Sequence, residues 1–138
     1  MKVIPAALAG LASGAIMILV WVRYEAGNGQ YHAWGATLVA LVMAWAIALV
    51  GGRKRGPRLQ LLAIGLAAAA MAAGQYLVIR TLIVKAMRDT HGQAQYGWWQ
   101  AASQLWSTRD ALFFIIGLAF AGFVPHRRPA APEREGLK

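Results

Sequence analysis

Gly51-Gly52-Arg53-Lys54-Arg55-Gly56-Pro57-Arg58 separates two long apolar runs and holds four of the fourteen Lys and Arg residues of the 138-residue chain. A short loop this rich in basic residues stays on the cytoplasmic side of a membrane, so both neighbouring runs are expected to cross the bilayer and meet at this loop. Its glycines and proline favour a tight turn over a continuous helix. The sequence therefore predicts a helical hairpin whose turn lies in the cytoplasm.

The composition is typical of a membrane protein and not of a soluble domain. Hydrophobic residues make up 59% of the chain, charged residues make up 14%, and the mean hydropathy is +0.47. The absence of cysteine excludes disulfides and thiolate metal sites. The net charge of +9 belongs to short loops and termini, so we expect contact with anionic lipid headgroups and no binding of nucleic acid.

Four apolar runs predict an all-α fold, an integral membrane four-helix bundle that forms one domain over residues 1–125. The predicted spans are residues 3–22, 33–50, 59–79 and 107–124, each close to the length that crosses a hydrocarbon core about 30 Å thick. The purely apolar part of the last run, Ala111 to Val124, is short, which leaves a re-entrant segment as the alternative. The basic tail, residues 126–138, is predicted to be disordered and cytoplasmic.

Charge distribution supports one orientation of these spans. With both termini and the basic turn inside, the inner side holds nine Lys and Arg against two acidic residues, and the outer side holds five against three. This excess matches the positive-inside pattern. We therefore expect a multi-pass protein of the bacterial inner membrane with cytoplasmic N- and C-termini.

Small residues recur at four-residue spacing on three of the predicted spans. Such spacing places them on one ridge of a helix, where another helix can approach closely. The third span is expected to lie with its ridge at the centre of the bundle. The residues predicted to pack against neighbouring helices are Gly10, Gly14, Ala36, Ala40, Ala44, Ala48, Gly65, Ala69 and Ala73.

The segment between the third and fourth spans predicts an amphipathic helix over residues 95–106. Trp98, Trp99 and Trp106 share one face of it, opposite neutral polar side chains. A helix of this kind lies in the membrane interface with its rings at headgroup depth; the alternative is a lid that closes the outer mouth of the bundle. Ser107 and Asp110 have the spacing of a capping box at the start of the fourth span.

Polar residues on the predicted outer side are few. Residues 23–32 are expected to form a polar turn flanked by an interfacial belt of aromatic rings, Trp21, Tyr24, Tyr31 and Trp34. The third helix is expected to continue beyond its span, along the outer surface, until His91 and Gly92 break it. Gln75, Tyr76 and Arg80 mark the end of the span itself, and Arg80 either snorkels to the interface or binds an anion. No metal site is expected, because the only candidates lie in separate loops where polar residues are usual: Glu25, His32, Asp89 and His91.

Two motifs resemble those of an uncharacterised bacterial four-span membrane domain family. They are Gly74-Gln75-Tyr76-Leu77 at the end of the third span and Ser107-Thr108-Arg109-Asp110-Ala111-Leu112-Phe113-Phe114 at the start of the fourth. The resemblance extends over residues 6 to 124. It implies a four-helix integral membrane fold, and it carries no assigned activity and no catalytic residue.

No motif for catalysis or nucleotide binding occurs in the chain, and no carboxylate lies within a predicted hydrocarbon core. We therefore expect no catalytic residue and no cofactor. The favoured hypothesis is a non-enzymatic protein that acts through helix packing, as an accessory or assembly subunit or an immunity-type protector of a larger membrane system. The alternative is a small homo-oligomeric channel or carrier whose anion-accepting mouth is formed by Gln75, Tyr76 and Arg80.

Overall fold

Five helices make up the part of the chain that the structure describes. The computed structural model describes residues 3–52, 56–92 and 97–125. The helices are α1 (Val3–Asn28), α2 (Trp34–Gly51), α3 (Pro57–Asp89), α4 (Trp98–Leu105) and α5 (Thr108–Phe123). The predicted all-α class is confirmed for these residues. Predictions for three segments, residues 53–55, 95–96 and 126–138, lie outside them.

Three helices, α1, α2 and α3, are each long and apolar enough to cross a membrane. The shorter α5 has 16 residues, about 24 Å of helix. Helices α4 and α5 are apolar enough only as a pair, bent by 89° at the break between them, and so form either a broken fourth span or a re-entrant loop. Three to four such helices indicate a multi-pass membrane protein.

The four longer helices pack side by side, with α2 and α3 between α1 and α5. Helix α1 runs antiparallel to α2, because Gly10 faces Ile47 and Gly14 faces Met43. Helix α5 runs parallel to α2, because Phe113 lies beside Thr37 and Gly117 lies beside Ala40. The Thr37 hydroxyl donates a hydrogen bond of 2.8 Å to the carbonyl oxygen of Phe113. The α1–α2 loop, the end of α3 and the start of α5 therefore meet at one end of the bundle, which we call the loop end.

Small side chains let these helices approach closely. The four alanines predicted as a ridge on α2 are fully buried: Ala36, Ala40, Ala44 and Ala48. A Cβ placed on Gly10 would come within 2.7 Å of Ile47, and one on Gly14 within 2.6 Å of Met43. A larger side chain at either glycine would require Ile47 or Met43 to move, so both glycines help α1 to lie close to α2.

Helix boundaries depart from prediction in one important place. Helix α1 continues to Asn28, so residues 23–28, expected in a polar turn, are helical. The physical reason is a set of hydrogen bonds that bury Glu25, described below. Elsewhere the local signals hold: α3 ends at Asp89 just before His91 and Gly92, which both have positive φ, and the predicted capping box is present at the start of α5.

Candidate functional site

The middle of the exposed face of α3 consists of small residues. Gly65, Ala69 and Ala73 lie on it, and a Cβ built on Gly65 would meet no heavy atom within 4 Å. The expectation that this ridge packs at the centre of the bundle is wrong for the single chain. Helix α3 instead buries the opposite face, which carries Ala63 and Ala67. Both faces are rich in alanine, so periodicity alone did not identify the buried one.

The exposed faces of the neighbouring helices are different. Large side chains dominate the open face of α1, among them Leu8, Ile16 and Leu19, and that of α5, among them Ile115 and Phe123. Such side chains suit contact with lipid tails. By contrast, the middle of α3 exposes only small residues. We call this patch the small-residue face; it consists of Gly65, Ala68, Ala69, Ala72 and Ala73.

A buried carboxylate lies at the loop end. Glu25 is 1% exposed and accepts hydrogen bonds at both of its oxygens. Its Oε1 accepts from the indole N–H of Trp21 at 3.1 Å and from the backbone N–H of His32 at 3.0 Å, and its Oε2 lies 2.9 Å from Nδ1 of His32. We call Trp21, Glu25 and His32 the carboxylate latch, because they tie the end of α1 to the loop before α2.

Two glycines from other helices make room for the indole of the latch. Gly35 of α2 faces the pyrrole side of Trp21, and Gly74 of α3 faces its benzene ring, with a Cβ position 3.0 Å away. The indole N–H also reaches the carbonyl oxygen of His32 at 3.1 Å. Trp21 is therefore a buried structural residue, and its predicted place in an exposed aromatic belt is wrong. Tyr24 and Trp34 do lie exposed, with ring centres 5.4 Å apart.

Two further polar atoms are buried at this end without a hydrogen-bond partner in the described part of the chain, the hydroxyl of Tyr31 and Oε1 of Gln75. Burial raises the pKa of Tyr31, and the carboxylates of Asp110 and Glu25 raise this pKa further. The carboxylate of Asp110 already has a partner, since it accepts a hydrogen bond of 2.7 Å from the backbone N–H of Ser107. Each unpaired buried group costs about 1–3 kcal/mol, so both are candidates for contact with a ligand or water.

Three tryptophans line a cavity near the end of the apolar part of α3. A cavity of about 360 Å³, which we call the tryptophan cavity, is lined by Gln75, Trp98, Trp99, Ala102, Ser103 and Trp106. Helix α4 is held over α3 by the buried Ala101 and Ala102 against Ile79. The indole N–H of Trp98 points to the carbonyl oxygen of Tyr76 at 3.4 Å. The three predicted anchor residues thus share one cavity wall.

A second cavity, of about 390 Å³, lies beside the α1–α2 loop. Its polar lining residues are Gln30, Tyr31, Lys85, Asp89 and Gln104. The ammonium group of Lys85 donates a hydrogen bond of 2.8 Å to the carbonyl oxygen of Ala26, which joins α3 to the end of α1. The ammonium group of Lys85 therefore links α3 to α1.

The four weak metal candidates do not form one site. Glu25 and His32 meet in the latch, whereas Asp89 and His91 lie exposed at the end of α3. Within the described residues no group of three or more His, Cys, Asp or Glu side chains could hold a metal ion. The three residues of the predicted anion mouth do not share one surface, because Gln75 is buried while Tyr76 and Arg80 are exposed.

Sequence reasoning missed the structural roles of Trp21 and Glu25. One signal was available, since Trp21 and Glu25 are four residues apart and share a helix face. The remaining contacts join residues distant in sequence and had no local signature. Comparison with known protein families, characterised proteins and solved structures found no match, so the resemblance to a four-span family remains a prediction.

Proposed function

We propose that this chain is a four-span protein of the bacterial inner membrane that acts through helix packing, as an accessory or assembly subunit, or an immunity-type protector, of a larger membrane system. The observation that carries the proposal is the small-residue face of α3, which the single chain leaves open. Small residues allow two helix backbones to approach closely in lipid, where dispersion and weak hydrogen bonds replace the hydrophobic effect.

The contrast with α1 and α5 strengthens the proposal. Both of those helices turn large aliphatic and aromatic side chains outward, as lipid contact favours. A face of glycine and alanine 65–73 gains little from lipid tails but fits the ridge of large side chains on another helix. The partner is therefore expected to offer a transmembrane helix with Leu, Ile or Phe at the contact.

Site-directed crosslinking tests the proposal in native membranes. The chain has no cysteine, so Ala69→Cys can carry a single benzophenone maleimide. We expect irradiation to give one adduct of defined mass. Its mass should differ from that of a homodimer, which is twice the 14.9 kDa of the single chain. Gly65→Leu with Ala73→Leu should abolish that adduct, because two leucines fill the space that the partner helix needs.

Ile16→Cys, on the lipid-like face of α1, is the matched control and should give lipid adducts only. A homodimer adduct from position 69 would favour the alternative function, a homo-oligomeric channel or carrier. Identical products from positions 16 and 69 would contradict a specific partner at the small-residue face.

The proposed orientation places the loop end outside the cell and both termini inside. A membrane-impermeant maleimide should label Gly27→Cys and Asp89→Cys in intact cells, since both residues are exposed at that end. Gly56→Cys and Glu135→Cys should react only after permeabilisation, because the excess of Lys and Arg holds those segments inside. Labelling of position 135 in intact cells would make the last run re-entrant, and labelling of position 56 would reverse the topology.

A further inference from the structure

The cavity beside the α1–α2 loop, which we call the loop cavity, carries one charge of each sign. Helix α3 contributes both Lys85 and Asp89 to its lining. Residues four positions apart lie on the same face of a helix, so the two charged side chains belong to one wall. The cavity volume of about 390 Å³ falls in the range of pockets that bind small molecules.

The ammonium group of Lys85 keeps donors for a ligand. It donates one hydrogen bond to the carbonyl oxygen of Ala26, and a lysine ammonium group has three N–H donors. Its Nζ lies 3.2 Å from the Cβ position of Gly29, which also lines the cavity. The ammonium group therefore lies at the loop wall of the cavity, and its remaining donors suit an anionic oxygen.

Asp89 supplies an acceptor in the same cavity. Its side chain is exposed, and a carboxylate can only accept hydrogen bonds. Among the described residues, the salt bridge of the chain joins Glu25 to His32, and Lys85 and Asp89 do not pair with each other. Each charge is thus left for a group of opposite sign, an anion at Lys85 and an ammonium group at Asp89.

The rest of the lining is largely apolar. Helix α3 contributes Leu82, Ile83 and Ala86, and helix α4 contributes Ala101 and Leu105. An apolar group bound against this wall is removed from water, which favours binding. The wall therefore suits a ligand that carries an apolar group beside its two charges.

The position of the cavity makes it accessible from outside the hydrocarbon core. Lys85 lies about 9 Å along the helix beyond Ile79, where the predicted third span ends, which is the outer edge of the headgroup layer. We propose that the loop cavity binds a zwitterion with an apolar group. Its anionic oxygens bind Lys85, its ammonium group binds Asp89, and its apolar group lies between α3 and α4. Such a ligand is either a free apolar amino acid or a phosphatidylethanolamine lipid.

Calorimetric titration of the intact chain in neutral detergent tests the free amino acid. Leucine would be compared with three molecules that each lack one of its groups: 4-methylpentanoate lacks the ammonium group, 3-methylbutylamine lacks the carboxylate, and glycine lacks the apolar group. We expect leucine to bind at least about tenfold more tightly than each of them, as loss of a charged hydrogen bond or of apolar burial predicts.

Native mass spectrometry tests the lipid source on the same preparation. Phosphatidylethanolamine and phosphatidylglycerol would be added in equal amounts with distinguishable acyl chains. The two lipids share a phosphate, and only the first carries an ammonium group. A preference of at least about tenfold for phosphatidylethanolamine would identify the lipid as a ligand, and selective binding of leucine would identify the amino acid.

Asp89→Asn assigns the selectivity to this cavity. It should reduce leucine binding to the level of 4-methylpentanoate without weakening 4-methylpentanoate itself, and it should make the two lipids bind equally. Lys85→Met should weaken leucine and 4-methylpentanoate but not 3-methylbutylamine. Arg88→Met removes a neighbouring exposed cation that is outside the cavity lining and should change none of these results. Because Lys85→Met also loses the hydrogen bond to Ala26, the exposed Asp89 gives the decisive variant if the lysine variant fails to fold.

The inference is wrong if leucine binds no more tightly than its three truncated relatives and phosphatidylethanolamine binds no more tightly than phosphatidylglycerol. It is also wrong if Asp89→Asn leaves the observed selectivity unchanged, because the ammonium group is then recognised elsewhere. None of these results bears on the partner of the small-residue face.

Discussion

Gly35→Val is expected to be among the most disruptive single substitutions in the described part of the chain. A Cβ at this position would overlap the indole ring of Trp21, which Gly74 confines from the α3 side. The ring is therefore confined by helix backbone on two sides. Overpacking a buried site costs about 1–3 kcal/mol and sometimes more, and we expect the upper end, about 3 kcal/mol, because the substitution also breaks the hydrogen bond from Trp21 to Glu25.

Thermal unfolding of the purified protein in detergent, followed by resistance to protease, would measure this loss. Gly27→Val is the matched control, since a Cβ at Gly27 meets nothing within 4 Å, and its midpoint should move by no more than a few degrees. The double variant Gly35→Val with Trp21→Leu should be more stable than the sum of the two single effects predicts, because the smaller side chain relieves the overlap. Strict additivity would show that the clash is not the cause.

Local sequence patterns predicted the secondary structure well. Apolar runs without charge predicted the long helices, the Ser107 and Asp110 spacing predicted the start of α5, and the glycine at position 92 accompanied the end of α3. Each of these signals is contained within a few neighbouring residues. The physical causes are equally local: an unpaired backbone donor, a left-handed backbone angle, or the need to bury apolar surface.

The orientation of α3 could not be predicted in the same way. Alanine and glycine occupy both the buried face, at Ala63 and Ala67, and the exposed face, at Gly65 and Ala69. Residues two positions apart lie on opposite sides of a helix, and a chain of small residues gives neither side an advantage in hydrophobicity. Only the shapes of the surrounding helices decide which face turns inward.

The polar residues at the loop end were misread for a related reason. A carboxylate after an apolar run usually indicates the start of a polar loop. The exception is a carboxylate that receives hydrogen bonds from residues in other parts of the fold. Glu25 accepts a hydrogen bond from the backbone N–H of His32, seven residues away, and another from the indole of Trp21. That indole fits only because Gly35 of α2 and Gly74 of α3 leave room for it. Burial of a carboxylate is tolerated only when such hydrogen bonds compensate for its lost hydration.

Removal of the carboxylate from the latch is expected to loosen the connection between α1 and α2. Glu25→Ala leaves the backbone N–H and Nδ1 of His32 without their acceptors and opens a space beside Trp21. We expect a loss of about 2–4 kcal/mol in the free energy of unfolding, the range for several buried hydrogen bonds to a charged group. Asp89→Ala removes an exposed carboxylate from the same end of the bundle and should change stability by no more than about 0.5 kcal/mol.

Glu25→Gln separates shape from charge in the latch. Its amide oxygen can still accept from Trp21 and from the backbone of His32, and its amide N–H can donate to Nδ1 of His32 when the imidazole proton is on Nε2. We therefore expect a loss of about 1 kcal/mol, well below that of the alanine variant, in the same unfolding measurement. If the glutamine variant is as unstable as the alanine variant, the negative charge itself is required, and a purely structural latch is wrong. If the alanine variant loses less than about 1 kcal/mol, the hydrogen bonds of Glu25 do not hold α1 to the loop, and the extension of α1 to Asn28 must have another cause.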